Sequence, residues 1–314
     1  MPSHECPGLP AEWLNAWLAA VGVTVLVPDM RLSWTDSASP HAVLHAPDGS
    51  DPIDLLVDAW PTKERIDDMP IADSWRDIQP YDPKMSIDDF RNRARYLRSH
   101  GHSDHWSLSS IYTDLFVNAQ TKDHAVGGSK FAPGVPGKNN LTGKGRTIYS
   151  RLAKVHSQVS ESRIQVIATL AGHSRRVEDN GLGFDFRRIT ALADDSKKRV
   201  DAVIEVLAFF GLALFPIRGI GVIKTATNTK RSSNRNNFLQ QRNWIQYQRN
   251  GSLRFVWPAW RVPLTRAAID ALLDAWSPTR RGAWSGLEVH NAWQSLEFNA
   301  SGDDRTRGIG SESL

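Results

Sequence analysis

The sequence predicts an α+β fold, mixed helices with antiparallel sheet, on three observations. Apolar residues recur at helical spacing in several stretches, and short apolar runs closed by Pro, Asp or Gly lie between them. In addition, one unit occurs twice. LAAVGVTVLVP (18–28) and LAFFGLALFP (207–216) each read as apolar helix, glycine, apolar strand and proline. Read as two related α+β halves, this echo predicts at least two sheets; the alternative is coincidence of a common helix–Gly–strand punctuation.

The elements follow in order. Glu12 to Val21 reads as a helix, with Trp13, Leu14, Trp17, Leu18 and Val21 on one face and Gly22 placed to end it. VTVLV (23–27) is then strand-like, Pro28-Asp29 turns the chain, and RLSW (31–34) and HAVLHA (41–46) supply further strands. Helical segments are expected at Pro52–Ala59, Ser86–Arg98, about 147–172, about 197–210 and Thr265–Ala275, the last with a threonine cap. A β-rich stretch spans Leu212 to Pro263, and Ser301–Leu314 reads as a disordered tail. The chain thus divides into an acidic, Trp-rich N-terminal α+β part (1–126), a Gly/Pro/Lys-rich loop (127–146), a basic C-terminal α+β part (147–300) and the tail (301–314).

With 314 residues, 40% hydrophobic and 23% charged, there is ample material for a globular core. The single cysteine, Cys6, excludes a disulfide framework and a thiolate zinc cluster, and fits a reducing compartment. MPSHECPGLP lacks the basic-then-apolar pattern of a signal peptide, and no apolar run reaches the roughly 18 residues of a membrane span. A cytoplasmic protein without membrane contact is expected. Twelve tryptophans suit a protein that works by contact, although Trp13 and Trp17 read as core.

Charge is polarised along the chain. Residues 1–120 hold 9 basic and 18 acidic side chains, residues 121–266 hold 25 and 9, and the remainder is mildly acidic. Between Glu205 and Asp270 there is no carboxylate at all, yet ten cations: Arg218, Lys224, Lys230, Arg231, Arg235, Arg242, Arg249, Arg254, Arg261 and Arg266. Trp244, Tyr247, Phe255, Trp257 and Trp260 are interleaved with them, as are many Asn and Gln. Cations without competing anions grip phosphates, and aromatic rings stack bases, so this stretch is the expected nucleic-acid contact. An ordinary basic sheet face with core aromatics is the alternative.

Three other motifs bear on chemistry. His100, His102, Asp104 and His105 have the H-x-H-x-D-H spacing of metallo-β-lactamase-type hydrolases, which bind two zinc ions about 3.5–4 Å apart. The charged segment before them is helix-like where that motif should follow an apolar strand, so metal chemistry is the alternative and not the expectation. His124, His156, His173 and Asp185 are the available distal ligands. GKNNLTGKGR (137–146) fails as a nucleotide phosphate loop, since its first gap is too long and Gly145 replaces Ser or Thr. Lys130, Lys138, Lys144 and Arg146 can still meet a phosphate backbone. The dibasic pairs Arg175-Arg176 and Arg187-Arg188 would extend the same basic track.

WLNAWLAAVGVTVLVPDMRLSW (13–34), VLAFFGLALFPIRG (206–219) and FVWPAWRVPLTRAAIDALLDAW (255–276) resemble segments of proteins from type I-G (formerly I-U) CRISPR systems. The resemblance covers about a third of the chain and carries no helicase, HD-type nuclease or zinc-cysteine signature. It implies a non-catalytic subunit or accessory of an RNA-guided complex. Its partners would be guide RNA or target DNA and other effector subunits. In such complexes base pairing reads sequence and protein grips backbone. No cofactor is expected. A protein-interaction scaffold with a Trp-rich, acidic N-terminal docking part is the remaining alternative.

Overall fold

A computed structural model describes residues 2–47, 49–67, 84–86, 112–117, 124–128, 148–179, 181–182, 185, 199–215, 243–246, 253–299 and 306–314. The fold is α+β, with helices set against antiparallel sheets.

The first sheet holds four strands in the order β1 (Ser3–Pro10), β3 (His41–His45), β2 (Arg31–Trp34) and β11 (Leu264–Thr265). Strands β2 and β3 are where the alternating sequence put them. β1 was not expected, because SHECPGLP carries Pro7, Gly8 and Pro10 and reads as a turn. Gly8 has a packing reason to be there. A Cβ on it would lie 1.8 Å from the Thr169 carbonyl oxygen of α5 (Ser162–Leu170), so only glycine lets that helix reach the strand.

Helix α1 (Leu14–Leu26) corrects the predicted end at Gly22. It continues through VTVL, which is not a strand, and Val27 caps it. All thirteen of its residues are buried. Burial on every side overrides the strand preference of Val and Thr, which amounts to only a few tenths of a kcal/mol per residue. Its partner is α6 (Ala202–Gly211), also buried throughout. Asp201 caps α6, its Oδ1 accepting the Ile204 N–H at 3.1 Å. A short 3-10 turn, Leu212–Leu214, follows Gly211 in place of the expected strand.

The two echoed segments meet at their glycines. A Cβ on Gly22 would stand 1.9 Å from the Leu207 carbonyl oxygen, and one on Gly211 would stand 2.1 Å from that of Leu18. The repeated Leu-Ala-x-x-Gly therefore encodes a reciprocal backbone-to-backbone helix crossing. The helix–Gly–strand reading of the echo is wrong, for the physical reason that each glycine is needed as a missing side chain and not as a terminator.

The second sheet runs β13 (Thr306–Ser313), β12 (Val289–Asn299), β10 (Leu253–Trp260), β9 (Trp244–Gln246), antiparallel throughout. The tail expected to be disordered instead supplies β13 over 306–313, because β12 offers it a full edge of backbone donors and acceptors. Past β10 the chain crosses to the first sheet as β11 and enters α7 (Arg266–Ala275). Thr265 caps that helix as predicted, with Oγ1 accepting from the Ala268 N–H at 3.4 Å.

Smaller pieces complete the description. Asp51 caps α2 (Pro52–Asp58), and α3 (Lys63–Asp67) follows it. The helix expected near 147–172 is two helices, α4 (Ile148–His156) and α5, broken at 157–161. β4 (Lys84–Ser86), β6 (His124–Gly128) and β5 (Tyr112–Val117) form a three-stranded sheet, and β7 (Val177–Glu178) pairs with β8 (Arg199–Val200). The helix expected at Ser86–Arg98 lies outside the described residues.

One buried core runs from Cys6 to Trp293. Tryptophans tie its early and late segments together through their indole N–H groups, each donating to a backbone carbonyl at 2.8 Å. Trp17 reaches Pro258, Trp257 reaches Ala11, and Trp260 reaches Leu32. Trp17 also contacts the rings of Phe215, Phe255 and Trp260. Trp17 is fully buried and Trp13 partly so, as their spacing predicts.

Candidate nucleic-acid interface

Strand β10 sets the framework of the basic stretch. Phe255, Val256, Trp257, Pro258, Ala259 and Trp260 are all buried, so both faces of the strand are covered. This corrects the expectation that Trp257 stacks bases. Its ring is fully buried against Phe255, at 5.9 Å between centroids, and its N–H is committed to Ala11. A base cannot reach it without opening the core.

The cations at the two ends of β10 meet carboxylates from distant sequence. Arg254 pairs with Glu312 of β13 at 3.4 Å, and Glu312 also accepts from the Gln294 side-chain amide at 2.9 Å. Arg261 forks onto Asp36, with N–O distances of 2.9 and 3.3 Å. The Arg261 hydrogen bond and charge hold the Asp36 carboxyl below the usual carboxylate range, and the same contact pushes the guanidinium up. His290, half-buried at the start of β12, is held below the usual histidine range, first by burial and then by the charge of Arg261. Arg266 makes no ion pair among the described residues.

The backbone of Trp244 lies in β9, opposite Phe255. Arg218, Lys224, Lys230, Arg231, Arg235, Arg242, Tyr247 and Arg249 lie outside the described residues, as do Lys138, Lys144 and Arg146. The flanks of this stretch are well placed. Glu205, the last acid before it, is fully buried, and its Oε2 accepts the Leu182 N–H at 2.5 Å. Phe215 packs its ring on Phe255 at 5.2 Å. Asn243, with φ of 66°, clasps Val256 from both sides. Its carbonyl accepts the Val256 N–H at 2.8 Å, and its Nδ2 donates back to the Val256 carbonyl at 2.9 Å.

The metal motif at His100, His102, Asp104 and His105 also lies outside the described residues. Of its distal partners, His156 donates from Nε2 to the Pro61 carbonyl at 2.6 Å and stacks on Trp60, and Asp185 is buried against Arg176 at 2.8 Å. His173 is exposed, and His124 is a β6 residue. Among the described residues no group of three or more His, Cys, Asp or Glu could hold a metal ion. Cys6 is buried, and burial pushes its thiol well up. Among the described residues no helix is long and apolar enough to cross a membrane.

Asp36 and Glu312 are the residues that sequence reasoning missed. They neutralise Arg261 and Arg254 from 225 and 58 residues away, and no composition window reports a partner at that separation. Arg280, Arg281 and Trp284, beyond the acid-free stretch, were also passed over. Their signal is the short string R-R-G-A-W-S-G, hidden in a segment whose net charge is negative. No family model, curated protein or solved structure matches the chain.

Proposed function

We propose that the protein is a non-catalytic nucleic-acid-binding subunit of an RNA-guided type I CRISPR surveillance complex. It acts in the cytoplasm beside other effector subunits and holds guide RNA or target DNA. The observation that carries this reading is the cationic stretch between Glu205 and Asp270, which holds no carboxylate. Residues 216–242 alone carry Arg218, Lys224, Lys230, Arg231, Arg235 and Arg242 with no acid. The residues that bracket them are held in the core, Phe215 against Phe255 and Asn243 clasped to the adjacent Val256. Cations without competing anions are the chemistry that grips a phosphate backbone. The resemblance to type I-G proteins supports the assignment to an RNA-guided complex, in which protein contacts to backbone are the required chemistry.

The test is the triple change Arg235→Ala, Arg242→Ala, Arg249→Ala, with affinity for single-stranded and duplex oligonucleotides measured across salt. Binding should weaken similarly for all sequences, and the slope of log affinity against log salt should flatten by about 2 on single strands, about 0.7 per phosphate contact. Unchanged affinity and slope, in the isolated chain and in its assembled complex, would remove the nucleic-acid role from this stretch.

A further inference from the structure

We propose a second contact, specific for single-stranded nucleic acid, on the turn 280–286: Trp284 stacks an unpaired base while Arg280 and Arg281 hold its phosphates. The inference rests on the nucleic-acid reading above and adds what that reading leaves open, namely where a base is held and which form of nucleic acid is bound.

The turn is two short 3-10 pieces, Arg281–Ala283 and Ser285–Leu287, with Trp284 between them. Trp284 is fixed but not enclosed. Its indole N–H donates to the Ser277 carbonyl at 2.9 Å, and its ring leans on Trp276 at 5.9 Å and 43°. These contacts set the ring plane at no further entropic cost to a ligand. Around it Gly282, Ala283, Ser285 and Gly286 are exposed, and a Cβ on either glycine would meet nothing within 4 Å. The chain leaves room beside the ring where most sequences would put a side chain.

Charge selects the occupant. Arg280 and Arg281 are exposed, and neither forms an ion pair among the described residues. This distinguishes them from Arg254 and Arg261, which meet Glu312 and Asp36. The Arg281 guanidinium sits 5.9 Å from the Trp284 ring, an arrangement that holds a cation ready beside an aromatic face. When a base takes the face, the guanidinium turns to the adjoining phosphate. A planar π-system with an anion joined to it through a short sugar link is what this turn fits, and an unpaired nucleotide has both. A base inside a duplex offers no free face, so the turn discriminates for single strands.

The turn adjoins the Arg261 end of β10, since Trp260 pairs with Val289 immediately after it.

The test uses the full chain with fluorescein-labelled oligothymidine and oligouridine, and a duplex of matched length as competitor. Arg280→Ala/Arg281→Ala, two exposed changes that leave the fold alone, should flatten the salt slope by about 0.7 per lost phosphate contact. Trp284→Ala should weaken single-strand binding by about five- to a hundred-fold and leave the salt slope unchanged. Photocrosslinking from 5-iodouracil, mapped by mass spectrometry, should place the adduct on Trp284. If the triple change in the 235–249 stretch abolishes binding while the Arg280/Arg281 and Trp284 variants bind as the parent does, this inference falls and the proposed function stands. If the parent chain binds neither oligonucleotide, both fall. If the duplex competes as well as the single strand, stacking at Trp284 is refuted. The difference between the oligothymidine and oligouridine arms assigns DNA or RNA.

Discussion

Trp257 and Trp284 stand in similar sequence company and end in opposite surroundings. The first is in R-F-V-W-P-A-W-R and the second in R-R-G-A-W-S-G, each an aromatic residue within a few positions of two arginines. Trp257 is wholly buried with its N–H on Ala11, and the arginines at its strand ends are matched by Glu312 and Asp36. Trp284 is half-buried, and its arginines have no acidic partner among the described residues. The difference lies in the residues between the cations. Apolar side chains at every position from Phe255 to Trp260 demand cover on both faces, whereas Gly, Ala and Ser in the turn have nothing to bury. Composition alone cannot separate a core aromatic from a contact aromatic; the small residues beside it can.

The largest effect that would sharpen this contrast is on stability. Trp257→Ala should cost about 3–5 kcal/mol, from the lost ring and the Ala11 carbonyl left without its donor. Trp284→Ala should cost clearly less, since its ring is only partly covered. Urea unfolding of the two variants measures both. Equal losses would erase the distinction between core and contact tryptophan.

A glycine pair extends the comparison at a smaller scale. Gly22→Ala places a methyl 1.9 Å from the Leu207 carbonyl oxygen, and backbone cannot rotate aside as a side chain can. Separating α1 from α6 should cost about 1–3 kcal/mol or more. Gly282→Ala meets nothing within 4 Å and should be neutral, or stabilise by about 0.4–1 kcal/mol through the unfolded chain. Thermal melts of the two variants should move in clearly different degrees. A Gly22→Ala protein melting with the parent would mean that the crossing is looser than its geometry.

These glycines also show what the sequence revealed and what it hid. The hairpin at 31–45, the cap at Asp51 and the Thr265-capped helix were legible, because turn residues, alternation and capping act within a few residues of one another. The continuation of α1 through VTVL was hidden, since it depends on α6, nearly two hundred residues away, covering it. β1 and β13 were hidden for the same reason. Neither SHECPGLP nor TRGIGSES has a strand pattern, and each is a strand because a neighbour offers an edge. At the candidate site, the cations could be counted from sequence, but Asp36 and Glu312 could not be foreseen as their partners. Trp257 was misassigned because burial is a property of the whole fold.

The smallest effect concerns pH, through one histidine in each sheet, His45 in β3 and His290 in β12. His45 in β3 is held below the usual histidine range, first by burial and then by the charge of Arg31. Its Nε2 lies 2.9 Å from the Ser33 hydroxyl. His290 is lowered by burial and by Arg261. In both cases the unfolded chain takes up a proton at a higher pH than the folded one, so unfolding binds protons as the solution is acidified. Their contribution is fully present above the unfolded value near 6.5 and is lost as pH falls from there toward the depressed folded values. Asp36 acts in a separate window. Its carboxyl is lowered from an ordinary value of 3.8, so its contribution fades only at more acid pH. Between about pH 6.5 and 5 the histidines are therefore the groups to watch. The urea midpoint of the parent should drop across that interval, and His45→Gln with His290→Gln should flatten the drop. A midpoint that holds steady or rises on acidification would mean that both imidazoles accept their protons as easily in the folded protein as in the open chain.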